Sequence, residues 1–317
     1  MTAPKTFKIV FMGTPEFAVP SLEKLINGPD SVVLVVTQPD RPKGRGRKVT
    51  PPPAKVLAEA AGIPVLQPRT VRAPDFLDQI RASAPDLLVV AAFGQILPRE
   101  LLDIPKIMPI NVHGSLLPRY RGAAPIQWAI INGDTETGIT IMKMDAGMDT
   151  GPILLKKAIV IGPKETFGEL YPRMAELGST MLAEALDLLR REELVITPQP
   201  EEGVSLAPPI KAEMARLRWT EPARRLACLI RAMDPRPGAY AMLRGNRLRL
   251  YAPCVLETQV PGQEPGTVLK TGTQGLVIAT GKDLLEIREL HWPGKRRMPC
   301  ADFLRGRPIP EGTRFDS

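Results

Sequence analysis

The sequence predicts a doubly wound, mostly parallel α/β domain of the Rossmann-like kind, followed by a small β-barrel of the OB type. In the first two thirds, short continuous apolar runs alternate with helical patterns, which is typical of a sheet covered on both faces. The last third has short β-rich runs separated by glycine turns. Residues 195–210 have the proline-rich composition of a linker. We therefore expect domains at residues 1–203 and 211–317.

The first domain is predicted to open with a strand, a turn and a helix. The apolar run at residues 7–12 stops at Gly13, and a helical pattern follows from Phe17. Because Gly13 stands alone, the G-x-G-x-x-G fingerprint of dinucleotide binding is absent. Further strands are expected at residues 32–36, 87–92, 107–112 and 139–144, and helices at residues 53–61, 74–83, 124–132 and 166–191.

A long connection at residues 38–53 interrupts this alternation. About 2–6 residues suffice for such a connection, and this one can bury almost nothing. Its five basic side chains, set among Gly and Pro, suit contacts with phosphates, whereas a solvated loop without a partner is the simpler alternative. The five are Arg41, Lys43, Arg45, Arg47 and Lys48.

The second domain is predicted to be basic and rich in β-structure. After a helix at residues 221–233, strands are expected at 239–244, 247–256, 267–269, 276–280 and 284–290. Residues 211–317 carry 19 Lys/Arg against 11 Asp/Glu and so hold the whole net charge of +8. A basic OB-type barrel indicates a nucleic-acid partner, although net charge also serves solubility alone.

Several classes of protein gain no support from the sequence. Cys228, Cys254 and Cys300 have spacings that fit neither a zinc site nor a redox pair, so we expect buried thiols and no metal. The amino terminus lacks an apolar targeting segment, and no later stretch approaches the roughly 20 apolar residues of a membrane span. We expect a cytoplasmic protein that does not associate with membranes, and nothing requires more than a monomer.

The chemistry is predicted to lie where the strand at residues 107–112 ends. Ligands bind at the carboxyl edge of such sheets, and Asn111 and His113 fall there. If Asp149 joins them, the amide and imidazole N–H groups can stabilise an oxyanion while the carboxylate orients the imidazole. No G-x-S-x-G motif and no cysteine near His113 supports a covalent acyl enzyme. A structural role for this histidine is the alternative that the residues alone leave open.

At these residues the chain resembles the methionyl-tRNA formyltransferase family. The matching stretches are FMGTPEFA at 11–18, TQPDRP at 37–42 with GRG at 44–46, NVHGSLLPRYRGAAPIQ at 111–127, GITIM at 138–142 and MDTG at 148–151. Asn111, His113 and Asp149 match residues shared by all enzymes of the fold that uses 10-formyltetrahydrofolate. The residues at 121–127, the basic loop and the basic barrel point to the tRNA enzymes within that fold.

The resemblance implies direct transfer of a formyl group, through a tetrahedral intermediate, from 10-formyltetrahydrofolate to the α-amino group of methionine on initiator tRNA. A formyltransferase of the same fold that acts on a small nucleotide or sugar amine is the alternative. Phe17 is a candidate wall of the methionine pocket, or an ordinary core residue. Folate is expected along Phe93, Gly94, Gln95 and Leu97 and along Ser115, Leu116, Leu117 and Pro118, and further tRNA contacts are expected from Arg247, Arg249, Lys295, Arg296 and Arg297.

The chain departs from the family pattern after the predicted linker. The family often has a Tyr-Ala-x-Lys segment there, whereas this chain has Leu206, Ala207, Pro208 and Pro209, and its Lys211 is displaced. The tRNA contact of that lysine is therefore not carried over. Phe93 also stands where Tyr is common.

Overall fold

A computed structural model describes residues 5–43, 48–258, 260, 262–272 and 274–316. The chain divides into two compact units. The first unit comprises residues 1–125, 137–159 and 171–208, and the second comprises 126–136, 160–170 and 209–317. No helix in the described residues is long and apolar enough to cross a membrane.

The first unit is built on a seven-stranded sheet. Five strands run parallel, and a sixth pairs antiparallel with the last of them. The sheet order is β5-β2-β1-β6-β7-β8-β9. The strands are β1 (Lys8–Gly13), β2 (Ser31–Val36), β5 (Val65–Leu66), β6 (Leu87–Ala91), β7 (Met108–His113), β8 (Glu136–Lys143) and β9 (Ile153–Val160), while β3 (Arg41–Lys43) and β4 (Lys48–Thr50) form a separate hairpin.

The central strands are buried on both faces, as their continuous apolar sequences require. Val10 and Met12 of β1 pack in one cluster with Leu88 and Val90 of β6, while alternate residues such as Phe11 are equally buried on the other face. The helices of the first unit are α1 (Val19–Ile26), α2 (Pro53–Ala60), α3 (Pro74–Ser83), α4 (Arg99–Leu102) and most of α6 (Phe167–Arg190), while α5 (Pro125–Ile131) belongs almost entirely to the second unit. The predicted fold class is confirmed, with each predicted strand and helix of this region within three residues of its observed bounds.

The second unit is an antiparallel half-barrel, consistent with the predicted OB-like fold. Its sheet order is β10-β11-β14-β13-β12, with β15 beside β14. Burial raises the pKa of the Cys300 thiol in its core to about 12, as expected for a buried thiol. Cys228 and Cys254 are only half-buried, so the expectation of buried thiols is wrong for these two. The elements are α7 (Ala223–Met233), β10 (Tyr240–Leu243), β11 (Asn246–Leu256), β12 (Val268–Thr271), β13 (Leu276–Ala279), β14 (Leu284–His291), β15 (Met298–Pro299) and α8 (Cys300–Gly306).

The carboxyl-terminal segment lies between the two edge strands of this half-barrel. Backbone bridges join Asp316 to Met242 of β10, and Arg314 to Thr267 just before β12. Phe315 is 2% exposed, and its ring lies 5.2 Å from the Trp219 ring. The segment therefore covers a sheet edge with backbone hydrogen bonds and adds an aromatic side chain to the core.

Replacing Phe315 with Ala should destabilise the second unit by about 3–5 kcal/mol, because a fully packed aromatic ring is removed. All three tryptophans, Trp128, Trp219 and Trp292, belong to this unit, so urea unfolding of the full chain followed by tryptophan fluorescence reports its stability. Arg314→Ala is the matched control, since its exposed ion pair with Glu264 should contribute less than about 1 kcal/mol. Equal transition midpoints for Phe315→Ala and wild type would contradict this assignment.

Candidate active site

Asn111 and His113 stand at the carboxyl end of β7. Because they are two residues apart in a strand, both side chains project from the same face of the sheet. Both are largely buried, with 9% and 5% of their surfaces exposed. Their neighbours Ile110 and Val112 are buried hydrophobic residues, so the apolar partners that hold β7 also set the direction of the two polar side chains.

Asp149 reaches the same place from the loop between β8 and β9. Its Oδ1 lies 3.5 Å from Asn111 Nδ2, its Oδ2 lies 3.6 Å from His113 Nδ1, and its Oδ2 accepts a hydrogen bond of 2.8 Å from the Gly122 N–H. The structure thus brings together the three side chains that the sequence singled out. Asp149 has a left-handed backbone with φ +54°, a conformation that costs a residue with a side chain roughly 1–3 kcal/mol.

The main-chain oxygen of Tyr120 determines which nitrogen of the His113 ring carries the hydrogen. It lies 3.0 Å from Nε2. Because a carbonyl can only accept, Nε2 must carry the hydrogen of this bond, and Nδ1 is left as the nitrogen that faces Asp149. Tyr120 is itself left-handed, with φ +60°, and its N–H donates to Ser205 Oγ at 2.9 Å. Sequence reasoning gave no role to Tyr120, Gly122 or Ser205, although the first two belong to the matched stretch at 111–127.

The segment that composition predicts to be a linker is hydrogen-bonded to the first unit. Thr197 exchanges backbone hydrogen bonds with Ile153 of β9, at 2.7 and 2.9 Å. Further along, the Ala207 N–H donates to the Arg121 carbonyl, and the Ala207 carbonyl accepts from the Ala124 N–H. Proline and charge at residues 195–210 therefore mark irregular backbone, and not a free connection. The predicted domain limits otherwise stay a prediction.

The turn at Ser115, Leu116, Leu117 and Pro118 is fixed from β8. Thr140, which lies opposite His113 in the β7–β8 register, donates to the Ser115 carbonyl at 2.7 Å and accepts from the Leu117 N–H at 3.1 Å. Lys156 Nζ donates to the Leu117 carbonyl at 3.2 Å. The predicted folate turn is thus rigidly attached next to His113.

The second predicted folate stretch follows β6. Phe93 and Leu97 are buried in a hydrophobic cluster, so their side chains anchor the loop. Between them Gly94 is exposed with φ +90°, and a Cβ there would meet nothing within 4 Å. Ile96 is 74% exposed, and Gln95 Oε1 accepts from the Val71 N–H at 3.2 Å. The loop thus exposes backbone beside an apolar side chain, and its role in binding folate stays a prediction.

Phe17 lies in the short 3₁₀ turn that precedes α1 and is 4% exposed. Its ring lies 5.5 Å from the Tyr171 ring, and its N–H donates to the Tyr171 hydroxyl at 3.2 Å. Burial raises the pKa of Tyr171 to about 12, so that hydroxyl stays protonated at working pH. These contacts hold Phe17 as a core residue, and its role in a methionine pocket stays a prediction.

The basic loop is an antiparallel hairpin of β3 and β4 where it is described. Arg41 is exposed, only the backbone of Lys43 and Lys48 is described, and Arg45 and Arg47 lie outside the described residues. The start of the hairpin is anchored by Asp40, which accepts hydrogen bonds from Lys55 at 3.0 Å and from Gln67 at 2.8 Å. The hydrogen bond from Gln67, followed by that from Lys55, lowers the pKa of Asp40.

The basic residues of the second unit that are predicted to contact phosphates differ in their contacts within the protein. Arg247 is exposed and stacks on Tyr240, with 4.0 Å from its guanidinium carbon to the ring centroid. Stacking leaves the N–H edges of a guanidinium open to an anion. Arg249, with its Nη1 3.5 Å from His291 Nδ1, lines a cavity of about 740 Å³. Lys295 and Arg296 are exposed.

Arg297 has a structural environment of its own. It pairs with Asp234 at 2.7 Å and with Glu289, and its guanidinium carbon lies 4.1 Å from the Tyr251 ring centroid. The Asp234 side chain is only 7% exposed. A guanidinium that neutralises a buried carboxylate is poorly placed to leave it for a phosphate, so this residue is better explained as part of the fold.

Arg297→Gln should lower the stability of the second unit by about 1–3 kcal/mol, because buried Asp234 loses its cation; partial exposure of Arg297 keeps the loss below that of a fully buried pair. Arg296→Gln, at the exposed neighbouring position, is the control and should leave stability unchanged. Tryptophan-monitored urea unfolding of the full chain measures both. Identical effects of the two substitutions would mean that Arg297 has no special structural role.

No group of three or more His, Cys, Asp or Glu side chains in the described residues is arranged to hold a metal ion. Comparison with known proteins identifies two family matches. Residues 7–186 match the model of the formyl transferase family, and residues 209–308 match that of the formyl transferase C-terminal domain.

Among curated relatives, the chain is 51% identical over 305 residues to the methionyl-tRNA formyltransferase of Desulfotalea psychrophila, covering 96% of this chain and 94% of that protein. It is also 51% identical over 310 residues to the methionyl-tRNA formyltransferase of Geobacter sulfurreducens, covering 97% and 96%.

Solved structures share the fold at lower identity. WlaRD, a sugar 3N-formyl transferase crystallised in the presence of dTDP and 5-N-formyl-THF, superposes with a TM-score of 0.66 at 17% identity, covering 92% of this chain and all of that one. HypX from Aquifex aeolicus in complex with tetrahydrofolic acid superposes with a TM-score of 0.60 at 18% identity, covering 99% of this chain and 51% of that one.

Proposed function

The chain belongs to the methionyl-tRNA formyltransferase family, and we propose that it transfers the formyl group of 10-formyltetrahydrofolate to the α-amino group of methionine on initiator tRNA. The family resemblance inferred from the sequence is thereby confirmed. The observation that carries the proposed chemistry is the convergence of Asn111, His113 and Asp149 at the carboxyl edge of the sheet.

Asn111 and His113 would act on the formyl oxygen. Bound 10-formyltetrahydrofolate supplies the formyl carbon that the neutral amine attacks. Asn111 Nδ2 and, when it carries a proton, His113 Nδ1 would be the two donors to that oxygen; both lie against the Asp149 carboxylate, while the Tyr120 carbonyl accepts from His113 Nε2. Both are buried, so their hydrogen bonds to a developing oxyanion would form in surroundings that exclude most water, where such bonds are strong.

Asp149 would orient His113 and accept the proton that the attacking amine loses. Its carboxylate lies against both donors and keeps the imidazole ring oriented. The same carboxylate would accept the proton that the amine loses, directly or through one water molecule, and that proton would be returned to N10 of the folate as the bond between N10 and the formyl carbon breaks. The Gly122 N–H fixes Oδ2 and leaves further lone pairs on the carboxylate for this task.

The proposed acceptor is distinguished by the basic parts of the chain. The hairpin that begins at Arg41 and the basic second unit suit a polyanion such as tRNA, whereas a small sugar or nucleotide amine would not need them. The sugar formyl transferases among the solved structures are only 16–20% identical to this chain, so that likeness concerns the fold alone. We also propose action in the cytoplasm as a monomer, because one chain supplies the proposed catalytic residues and the basic unit.

One assay tests the function directly. Purified protein is incubated with 10-formyltetrahydrofolate and with methionine-charged initiator tRNA, charged elongator tRNA, or an amino sugar nucleotide. Formylmethionine on initiator tRNA is expected. No formylation of either tRNA would refute the proposal, and formylation of the sugar nucleotide alone would assign the chain to the alternative reaction.

Asn111→Ala and His113→Ala should each lower kcat about 10²–10³-fold, because each removes one donor from the oxyanion. Thermal unfolding should change little for Asn111→Ala, since the residue lies at a strand end beside the site. Rapid-quench formylation assays measure the effect. Near-normal turnover by either variant would disprove the donor role of that residue.

Arg41→Glu should reduce kcat/KM for charged tRNA about tenfold and make its salt dependence shallower, while KM for the folate stays unchanged. Arg81→Glu is a matched control: Arg81 is exposed near the end of α3, before β6 starts, and thus near the opposite edge of the sheet. Comparable losses for both variants would indicate a general charge effect, and a change in folate KM would give the hairpin another role.

A further inference from the structure

The side chain of Gln199 lies between the two loops that complete the candidate site. Its Nε2 donates to the main-chain carbonyls of Asp149 at 2.8 Å and Gly151 at 2.7 Å. Its Oε1 accepts from Arg121, with distances of 2.7 Å to Nη2 and 3.2 Å to Nε. The amide thus uses both of its N–H groups on one loop and its oxygen on the other.

The orientation of this amide is determined by its partners. Carbonyl oxygens only accept and a guanidinium only donates, so a flipped amide would lose every bond and place like atoms together. Gln199 is therefore a directional link between Arg121 and the loop at residues 145–151. Gly151 makes that loop tight, because a Cβ there would lie 1.9 Å from the Lys143 carbonyl oxygen.

The two linked loops are those that fix the proposed catalytic groups. Arg121 lies between two residues that contact the proposed catalytic groups. The Tyr120 carbonyl accepts a hydrogen bond from His113 Nε2, and the Gly122 N–H donates to the Asp149 carboxylate. Asp149 is consequently held at both ends, by Gln199 at its carbonyl and by Gly122 at its carboxylate. Its left-handed backbone needs such support, because a residue with a side chain prefers another conformation.

We propose that Gln199 is a positioning residue that holds the Asp149 backbone so that the carboxylate faces Asn111 and His113. This inference rests on the proposed catalytic role of Asp149. Gln199 is half-buried among exposed neighbours and belongs to no hydrophobic cluster described for the chain, so it contributes to geometry and little to the stability of the core. A displacement of about 1 Å in a catalytic group lowers turnover about 10²-fold.

The test compares two substitutions that remove different parts of the link. Gln199→Leu removes donors and acceptor together. Gln199→Glu keeps the size and the acceptor for Arg121 but removes both N–H donors, so it isolates the bonds to the Asp149 loop. Both should lower kcat about 10–100-fold, with KM for folate and for charged tRNA within about twofold of wild type. Glu201→Gln, on the same segment and exposed, is the control and should leave kcat unchanged.

A combined substitution separates positioning from a general structural effect. If Gln199 acts only through Asp149, adding Gln199→Leu to Asp149→Asn should slow formylation no further, whereas independent effects would multiply. Single-turnover assays with excess enzyme keep these slow rates measurable, and thermal unfolding reports whether each variant is folded. The proposal is overturned if Gln199→Glu retains wild-type kcat, or if the double variant falls another 10-fold or more. A wild-type protein that forms no formylmethionyl-tRNA would instead refute the proposed function.

Discussion

The carbonyl oxygen of Tyr120 accepts a hydrogen bond from His113, and the proposed chemistry at this sheet edge depends on that contact. It fixes the hydrogen on Nε2 and leaves Nδ1 toward Asp149. The carbonyl points this way because Tyr120 is left-handed, and Ser205 Oγ supports it from a segment 85 residues further along the chain. Which nitrogen of the His113 ring faces Asp149 is therefore decided by contacts between residues far apart in the sequence.

The segment at residues 197–207 forms part of the wall of the site, although it contributes little apolar surface. Ala207 is fully buried and pairs through its backbone with Arg121 and Ala124. Gly122 has φ +123°, and a Cβ there would lie 2.8 Å from the Ala207 carbonyl oxygen, so the two backbones approach as closely as glycine permits. Leu206, by contrast, is 62% exposed. The departure from the family pattern at position 206 thus leaves the pairing of Ala207 with Arg121 and Ala124 intact, because that pairing is formed by backbone hydrogen bonds.

The sequence predicted those parts of the fold that rest on local patterns. β7 was recognisable because its apolar residues are continuous and end at a glycine, and that placed Asn111 and His113 at the ligand-binding edge. The sequence does not predict β9, because it is an edge strand in which only Leu154 is buried and in which Lys156, Lys157 and Ala158 are exposed in succession. The carboxyl-terminal segment escapes prediction for a similar reason, because its role at the barrel edge comes from backbone pairing with residues 47 and 74 positions earlier in the chain.

The candidate site shows the same division. The three proposed catalytic side chains follow from residue types near predicted strand ends, but Gln199 contacts a loop 50 residues earlier and lies between prolines that indicate a linker. No periodicity marks such a residue, because it fills no apolar face. What Gln199 holds in place follows only from the distances and directions of its hydrogen bonds.

The sequence gives the net charge of the second unit, whereas the structure shows which of its basic side chains are already engaged with carboxylates. The excess of basic residues after position 210 predicts attraction to a polyanion, which depends on net charge alone. Direct contacts with phosphates require guanidinium groups whose donors are not already engaged. Arg297 neutralises buried Asp234, and Arg288 pairs with buried Glu286, whereas Arg247 stacks through its ring-facing plane and keeps its edges open. All of these residues raise the long-range positive field, but those that already neutralise carboxylates are poor candidates for a direct phosphate contact, and such a contact stays a prediction for Arg247.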